Sequence, residues 1–128
     1  MARFDAGGID RLRQALEKEG ERVQRNGAAA VQAGARVLKE AMQQTVPVRT
    51  GELQKHIKAG QTKYSPGDGY YADVAPSGKN RDGERYATIG FVLEYGRSNM
   101  PAQPWMRPAV ERSGKAVAAA MKAELYKD

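Results

Sequence analysis

Apolar and small residues recur along the first third of the chain at Ile9, Leu12, Leu16, Val23, Ala30, Val31, Leu38, Ala41 and Met42. That is the three-to-four spacing of an amphipathic helix. Gln, Glu, Lys and Arg, all good helix formers, fill most positions between them. The pattern predicts one long helix, or two nearly continuous ones, from about Ile9 to Thr45, with residues 1–8 flexible ahead of it. Gly20, Gly27 and Gly34 fall seven apart on or near the apolar stripe. A glycine inside a helix costs about 1 kcal/mol relative to alanine. Three in register point to a seam where another helix approaches, either the C-terminal helix or one from a neighbouring subunit. A bend or frayed joint near Gly20 is the simpler alternative.

Pro47 ends this pattern, because it lacks an N–H donor and pushes Val46 toward extended geometry. Thr50 is then a candidate N-cap for a short helix carrying Leu53 and Ile57 on one face. Glu52 in its first turn suits the positive end of the helix dipole. From Lys58 to Glu84 glycine and proline punctuate the chain, and Tyr64, Tyr70, Tyr71 and Val74 supply strand-type residues. A short antiparallel hairpin or meander is expected, with residues 76–84 (PSGKNRDGE) as a polar, mobile loop. The apolar run RYATIGFVLEYG (85–96) fits a buried strand or a short buried helix. Phe91 with Tyr95, and Ile89 with Leu93, share helical faces, which favours the helix. Pro108 suits the first turn of a last helix, and Val110, Val117, Met121 and Leu125 mark one face of it.

Composition narrows the chemistry. The 128 residues fit one domain with one modest core. Cysteine is absent, which removes disulfides, thiolate catalysis and cysteine metal sites and is compatible with a reducing cytoplasm. No signal peptide is visible, and no apolar run approaches the roughly 20 residues of a membrane helix. The net charge of +6 is spread evenly, since residues 1–46, 47–104 and 105–128 each carry two more basic than acidic groups. A protein built to grip phosphates usually gathers its cations on one face.

The residues for catalysis are equally sparse. His56 is the only histidine, and it lacks a serine–aspartate context and the companion ligands a zinc site needs. Gly78-Lys79-Asn80 lacks the rest of a P-loop. Asp68, Asp73, Asp82 and Glu84 match no calcium loop or hydrolase pair and read as solvated loop acids. The tyrosines at 64, 70, 71, 86 and 95 could stack on bases, but packing explains them more simply. No catalytic, cofactor or metal site is expected. A basic nucleic-acid-binding accessory protein is the runner-up to the reading below.

Two segments carry more. In residues 46–57 (VPVRTGELQKHI) stand Pro47, Arg49, Thr50, Gly51 and Leu53; in residues 91–111 (FVLEYGRSNMPAQPWMRPAVE) stand Glu94, Tyr95 and Gly96, then Pro101, Ala102, Pro104, Trp105, Met106, Arg107, Pro108 and Ala109. In this order, with a tyrosine- and glycine-containing β region between them, they resemble a family of small phage proteins described as minor tail, tail-completion or head–tail joining proteins. The residues also have physical readings of their own. Arg49-Thr50-Gly51 makes a tight turn in which threonine caps and glycine lets the backbone approach. Glu94 suits an arginine such as Arg49 or Arg97. The proline-stiffened run 101–104 delivers Trp105 and Met106 into the core or into a neighbour.

The resemblance implies an α+β subunit, with a long N-terminal helix and a C-terminal helix packed on a small antiparallel β-sheet, plus a short additional helix. It implies a ring of this chain, six copies, in the virion neck between the head connector or adaptor and the tail terminator or tail tube. Assembly would take place in the host cytoplasm, genomic DNA would pass nearby, and no membrane or cofactor would be involved. Arg97, Pro101, Pro104, Trp105, Met106, Arg107 and Pro108 are then interface candidates.

Overall fold

The computed structural model describes residues 6–127 except Asp68; the side chains of residues 6–9 and Leu12 also lie outside the description. The fold is α+β. Helix α1 (Ala6–Thr45) is one unbroken helix of 40 residues that runs through Gly20. At about 1.5 Å per residue it runs about 60 Å. Of the segment expected to be flexible, residues 1–5 lie outside the described residues, and residues 6–8 already belong to the helix.

Helix α4 (Met106–Leu125) packs antiparallel along the C-terminal half of α1. Hydrogen bonds pin both ends of the pair. Thr45 Oγ1 donates to the Trp105 carbonyl at 2.7 Å. Asn26 Nδ2 donates to the carbonyls of Leu125 (2.9 Å) and Lys127 (2.6 Å), satisfying acceptors that α4 leaves free at its end. Small residues let the helices close. Ala30, Gly34 and Ala35 of α1 and Ala109 and Ser113 of α4 are all buried. A methyl on Gly34 would stand 2.8 Å from Met121 Cγ and 3.3 Å from Val117 Cγ1, so this glycine does mark the expected seam. The face of α4 differs in one place from its sequence pattern. The buried row runs through Ala109 and Ser113, and Val110 is exposed.

The middle of the chain forms one interrupted hairpin. Strand β1 (Ile57–Ala59) pairs antiparallel with β4 (Val74–Pro76), and β2 (Lys63–Ser65) pairs with β3 (Gly69–Tyr71). A bond from Gly60 N–H to the Asp73 carbonyl (2.7 Å) joins the outer ladder to the inner one. The hairpin lies against α1 through Tyr70. Its ring fills the space over Gly27, where a methyl would stand 2.7 Å from Cδ2, and its hydroxyl donates to the Gln24 carbonyl at 3.3 Å.

Two short helices complete the chain. Helix α2 spans Glu52–Lys55, and Ile57, expected on its face, is instead the first residue of β1, buried completely. Helix α3 (Tyr86–Tyr95) takes the helical option for the apolar run. It is less buried than its composition suggests, because Phe91 and Tyr95 face outward. Met42, Val46, Ile57, Trp105 and Ala109 form the core, with Leu38, Leu53, Val74, Leu93 and Met106 packed on it.

Candidate functional site

The residues singled out in the sequence converge where α3 meets the start of α4. Helix α4 opens on Trp105, whose side chain cannot cap the free N–H groups of the first turn. Glu94, the penultimate residue of α3, does it from outside. Its Oε2 accepts from the N–H of Trp105 (2.6 Å) and Met106 (2.8 Å), and its Oε1 accepts from Arg107 N–H (3.1 Å). Glu94 is therefore held by backbone donors at a helix N-terminus, where the dipole also favours an anion, and not by the guanidinium of Arg49 or Arg97. Burial pushes its carboxyl up, but the three N–H donors and the nearby Arg107 charge outweigh this and leave it below the usual glutamate range.

Trp105 fits the same junction. It is 0% exposed, and its Nε1 donates to the Gly90 carbonyl at 3.0 Å. Gly90 has to be small, since a methyl there would stand 2.9 Å from Trp105 Cζ2 and 3.2 Å from Pro76 Cγ. Of the two uses considered for Trp105, core or neighbour, the fold takes the core. Burying about 200 Å² of indole at about 25 cal/mol per Å² contributes about 5 kcal/mol, so this side chain fastens α4 to α3 and α1.

The chain between the two helices folds back tightly. Gly96 sits at φ 77°, 2.8 Å (as measured from a methyl built on it) from Ala102 N, so any side chain would strain the backbone and collide. Arg97 and Met100 exchange backbone bonds (2.9 and 3.1 Å), and Gln103 N–H donates to the Leu93 carbonyl at 2.7 Å. Opposite this arm lies the turn after α1. Thr50 Oγ1 accepts from Glu52 N–H at 3.3 Å, while Gly51 holds the N-cap position at φ 83°. Nothing lies within 4 Å of the place a Gly51 side chain would occupy, so glycine is needed for its left-handed backbone and not for a close approach. Gln54 Nε2 to the Gln43 carbonyl (2.7 Å) ties the turn to α1. Between turn and arm runs a groove of about 720 Å³, its walls including Pro47, Arg49 and Leu53 on one side and Leu93 and Met100 on the other. The two motifs thus form one structural unit around one groove.

The match to known families decides what kind of protein this is. A family model described as "Bacteriophage HK97-gp10, putative tail-component" matches residues 10–97. The chain belongs to the HK97-gp10-like family. No curated protein and no solved structure matches it. The HK97-gp10-like match takes in α1, the Pro47 turn, the hairpin and α3, and ends at Arg97. Residues 101–109, with Trp105 and its neighbours, fall beyond it.

In this HK97-gp10-like chain the remaining candidates are dispersed. Arg97, Pro101, Pro104 and Arg107 are exposed, and Met106 and Pro108 are half-buried. His56 stacks on Tyr86 with ring centroids 4.1 Å apart, and its Nδ1 lies 2.7 Å from the Glu52 carbonyl, which can only accept, so Nδ1 carries the proton. The tyrosines divide among separate contacts: Tyr70 with Tyr64 and Gly27, Tyr86 with His56, Tyr95 with Phe91. Residues 77–85 are tied together by Asn80, whose Oδ1 accepts from Asp82 (3.0 Å) and Glu84 (2.9 Å) N–H, and joined to the body by Ser77 N–H on the His56 carbonyl. Asp73, Asp82 and Glu84 are exposed; Asp68 lies outside the described residues. Among the described residues no cluster of His, Cys, Asp or Glu could hold a metal ion, and no helix is long and apolar enough to cross a membrane. The residues missed in the sequence are Gly90 and Asn26. Their signal was weak but present, a glycine inside the most apolar helix and an asparagine in the middle of a long one.

Proposed function

We propose that this phage tail component is a structural subunit of the virion neck, a tail-completion or head–tail joining protein that assembles as a ring between head connector and tail. The observation that carries the reading is the family match over residues 10–97, supported by the ordered motifs at 47–53 and 94–109. The subunit acts by assembly and not by catalysis. Its partners are its own copies, six in the ring that the resemblance implies, together with the connector or adaptor on one side and the tail terminator or tube on the other. The groove between the motifs and the exposed Arg97, Pro101 and Pro104 of the arm are the surfaces offered to them. Genomic DNA passes such a ring without being gripped, in keeping with the evenly spread +6 charge.

Loss of the gene is expected to leave filled heads and finished tails unjoined, seen by electron microscopy of lysates, with restoration by the gene in trans. A deletion strain that yields normal infectious particles sinks the proposal.

A further inference from the structure

Among the uncovered apolar surfaces of the described residues, two lie at opposite ends of the molecule. One is on the N-terminal half of α1. Every described side chain from Asp10 to Glu21 is exposed, and Leu16 (65%) and Val23 (49%), seven residues apart, share one face. Between them lies Gly20, with nothing within 4 Å of its open side. The other is the outer face of α3, where Phe91 (60% exposed) and Tyr95 (65%) stand together with ring centroids 4.7 Å apart.

The two cannot meet within one chain. α3 is fastened through Trp105 to the Thr45 end of α1. Leu16 and Val23 lie 22 to 29 residues back along a continuous helix, about 33–44 Å away at 1.5 Å per residue. The charges of the two patches differ in sign. From Leu16 to Val23 three acids (Glu17, Glu19, Glu21) stand against two bases (Lys18 and Arg22, the latter 3.5 Å from Glu19), one negative charge net. From Arg85 to Arg107 every exposed charge is positive (Arg85, Arg97, Arg107), because the one acid, Glu94, is buried under α4.

We infer that the free half of α1 in one copy docks on the Phe91–Tyr95 face of α3 in the next. Leu16 and Val23 cover the two rings, Gly20 admits a ring edge, and the glutamates face Arg85 and Arg97. Such a contact joins two different patches, so it is head-to-tail, and it forms a ring when the rotation from copy to copy closes. It rests on the reading that the chain assembles with its own copies, and it names the surfaces that do so.

The absence of cysteine gives a clean test. E19C and T88C place thiols beside the two patches, Thr88 being exposed one turn before Phe91. Particles completed in a deletion strain by the E19C/T88C double variant are treated with a short thiol-reactive cross-linker. A ladder of covalent multimers is expected, with only dimers from an equal mixture of the single variants and at least a tenfold loss of product when L16D or F91D is added. Infectious particles that contain the double variant but give no ladder overturn this pairing and leave the neck assignment standing. Dimers from E19C alone mean a symmetric contact and overturn it too. A wild-type chain absent from finished particles overturns both readings.

Discussion

The two halves of α1 share a three-to-four spacing of small and apolar positions but differ in charge and in surroundings, with nine charged residues in 6–25 and three in 26–45. Residues 26–45 are roofed by α4 and the hairpin, and Ala30, Gly34 and Met42 are buried there. Residues 10–21 keep the same spacing of small and apolar positions, yet every described side chain is exposed. The glycines make the contrast sharpest. Gly27 is filled by the Tyr70 ring and Gly34 by Met121, whereas Gly20, one more heptad along, is empty. An amphipathic stripe therefore records that a helix face is meant to be covered, but not by what. An isolated helix of about 15 residues is marginal in water, so the bare half holds its form by continuity with the covered half.

The strongest way to break the contrast is to remove the roof. Trp105→Ala deletes the indole that joins α4 to Gly90 and fills the core beside Met42 and Val46, leaving in place the backbone carbonyl that accepts from Thr45. A loss of about 3–5 kcal/mol is expected, read as a lower urea midpoint. Amide hydrogen exchange then separates the halves. Protection should collapse over residues 26–45 and change little over residues 10–21, which have no roof to lose. Equal loss in both halves would show that they are one cooperative unit.

The α4 roof also depends on a charge. Glu94 holds three N–H groups of the first turn of α4, and its folded carboxyl ionises below the free value of about 4.3. A depressed carboxyl contributes stability that is complete above the unfolded pKa and is lost as pH falls through the folded one. The wild-type chain should therefore lose stability on acidification below about pH 4.3. Glu94→Gln should be weaker by about 1–3 kcal/mol at neutral pH, and its stability should fall less steeply on acidification. Parallel melting-temperature curves for the two proteins between pH 3 and 7 would refute this role for Glu94.

Much of this was legible in advance, for physical reasons that differ by element. The spacing of Ile9 to Met42 could only satisfy a helix, and Pro47 could only end one, so α1 was readable from local rules. The choice of helix for 86–95 was a leaning, because a short apolar run suits either structure. What local rules could not reach was pairing at a distance. Glu94 reads as an ion-pair partner by type, and only the fold reveals that α4 starts without a cap of its own. Ile57 looked helical beside Leu53, but its backbone is claimed by Pro76 across the hairpin. The outward turn of Phe91 and Tyr95 was likewise invisible, since composition alone places aromatics inside.

The glycines give the finest test of the comparison, because the same substitution should change sign between the halves. At Gly27 a methyl meets the rigid Tyr70 ring at 2.7 and 2.9 Å. Moving that ring loosens the hairpin from α1, and overpacking of this kind costs about 1–3 kcal/mol, less the gain in helix propensity. At Gly20 the methyl meets nothing, so Gly20→Ala should stabilise the isolated chain by up to about 1 kcal/mol through backbone entropy alone. Urea titration of the two variants beside the wild type measures both. If the bare half frays independently of the body, the Gly20 gain will be missing from the global transition and will appear only as added helical signal in circular dichroism. That outcome would make the two halves separate in energy as well as in surroundings.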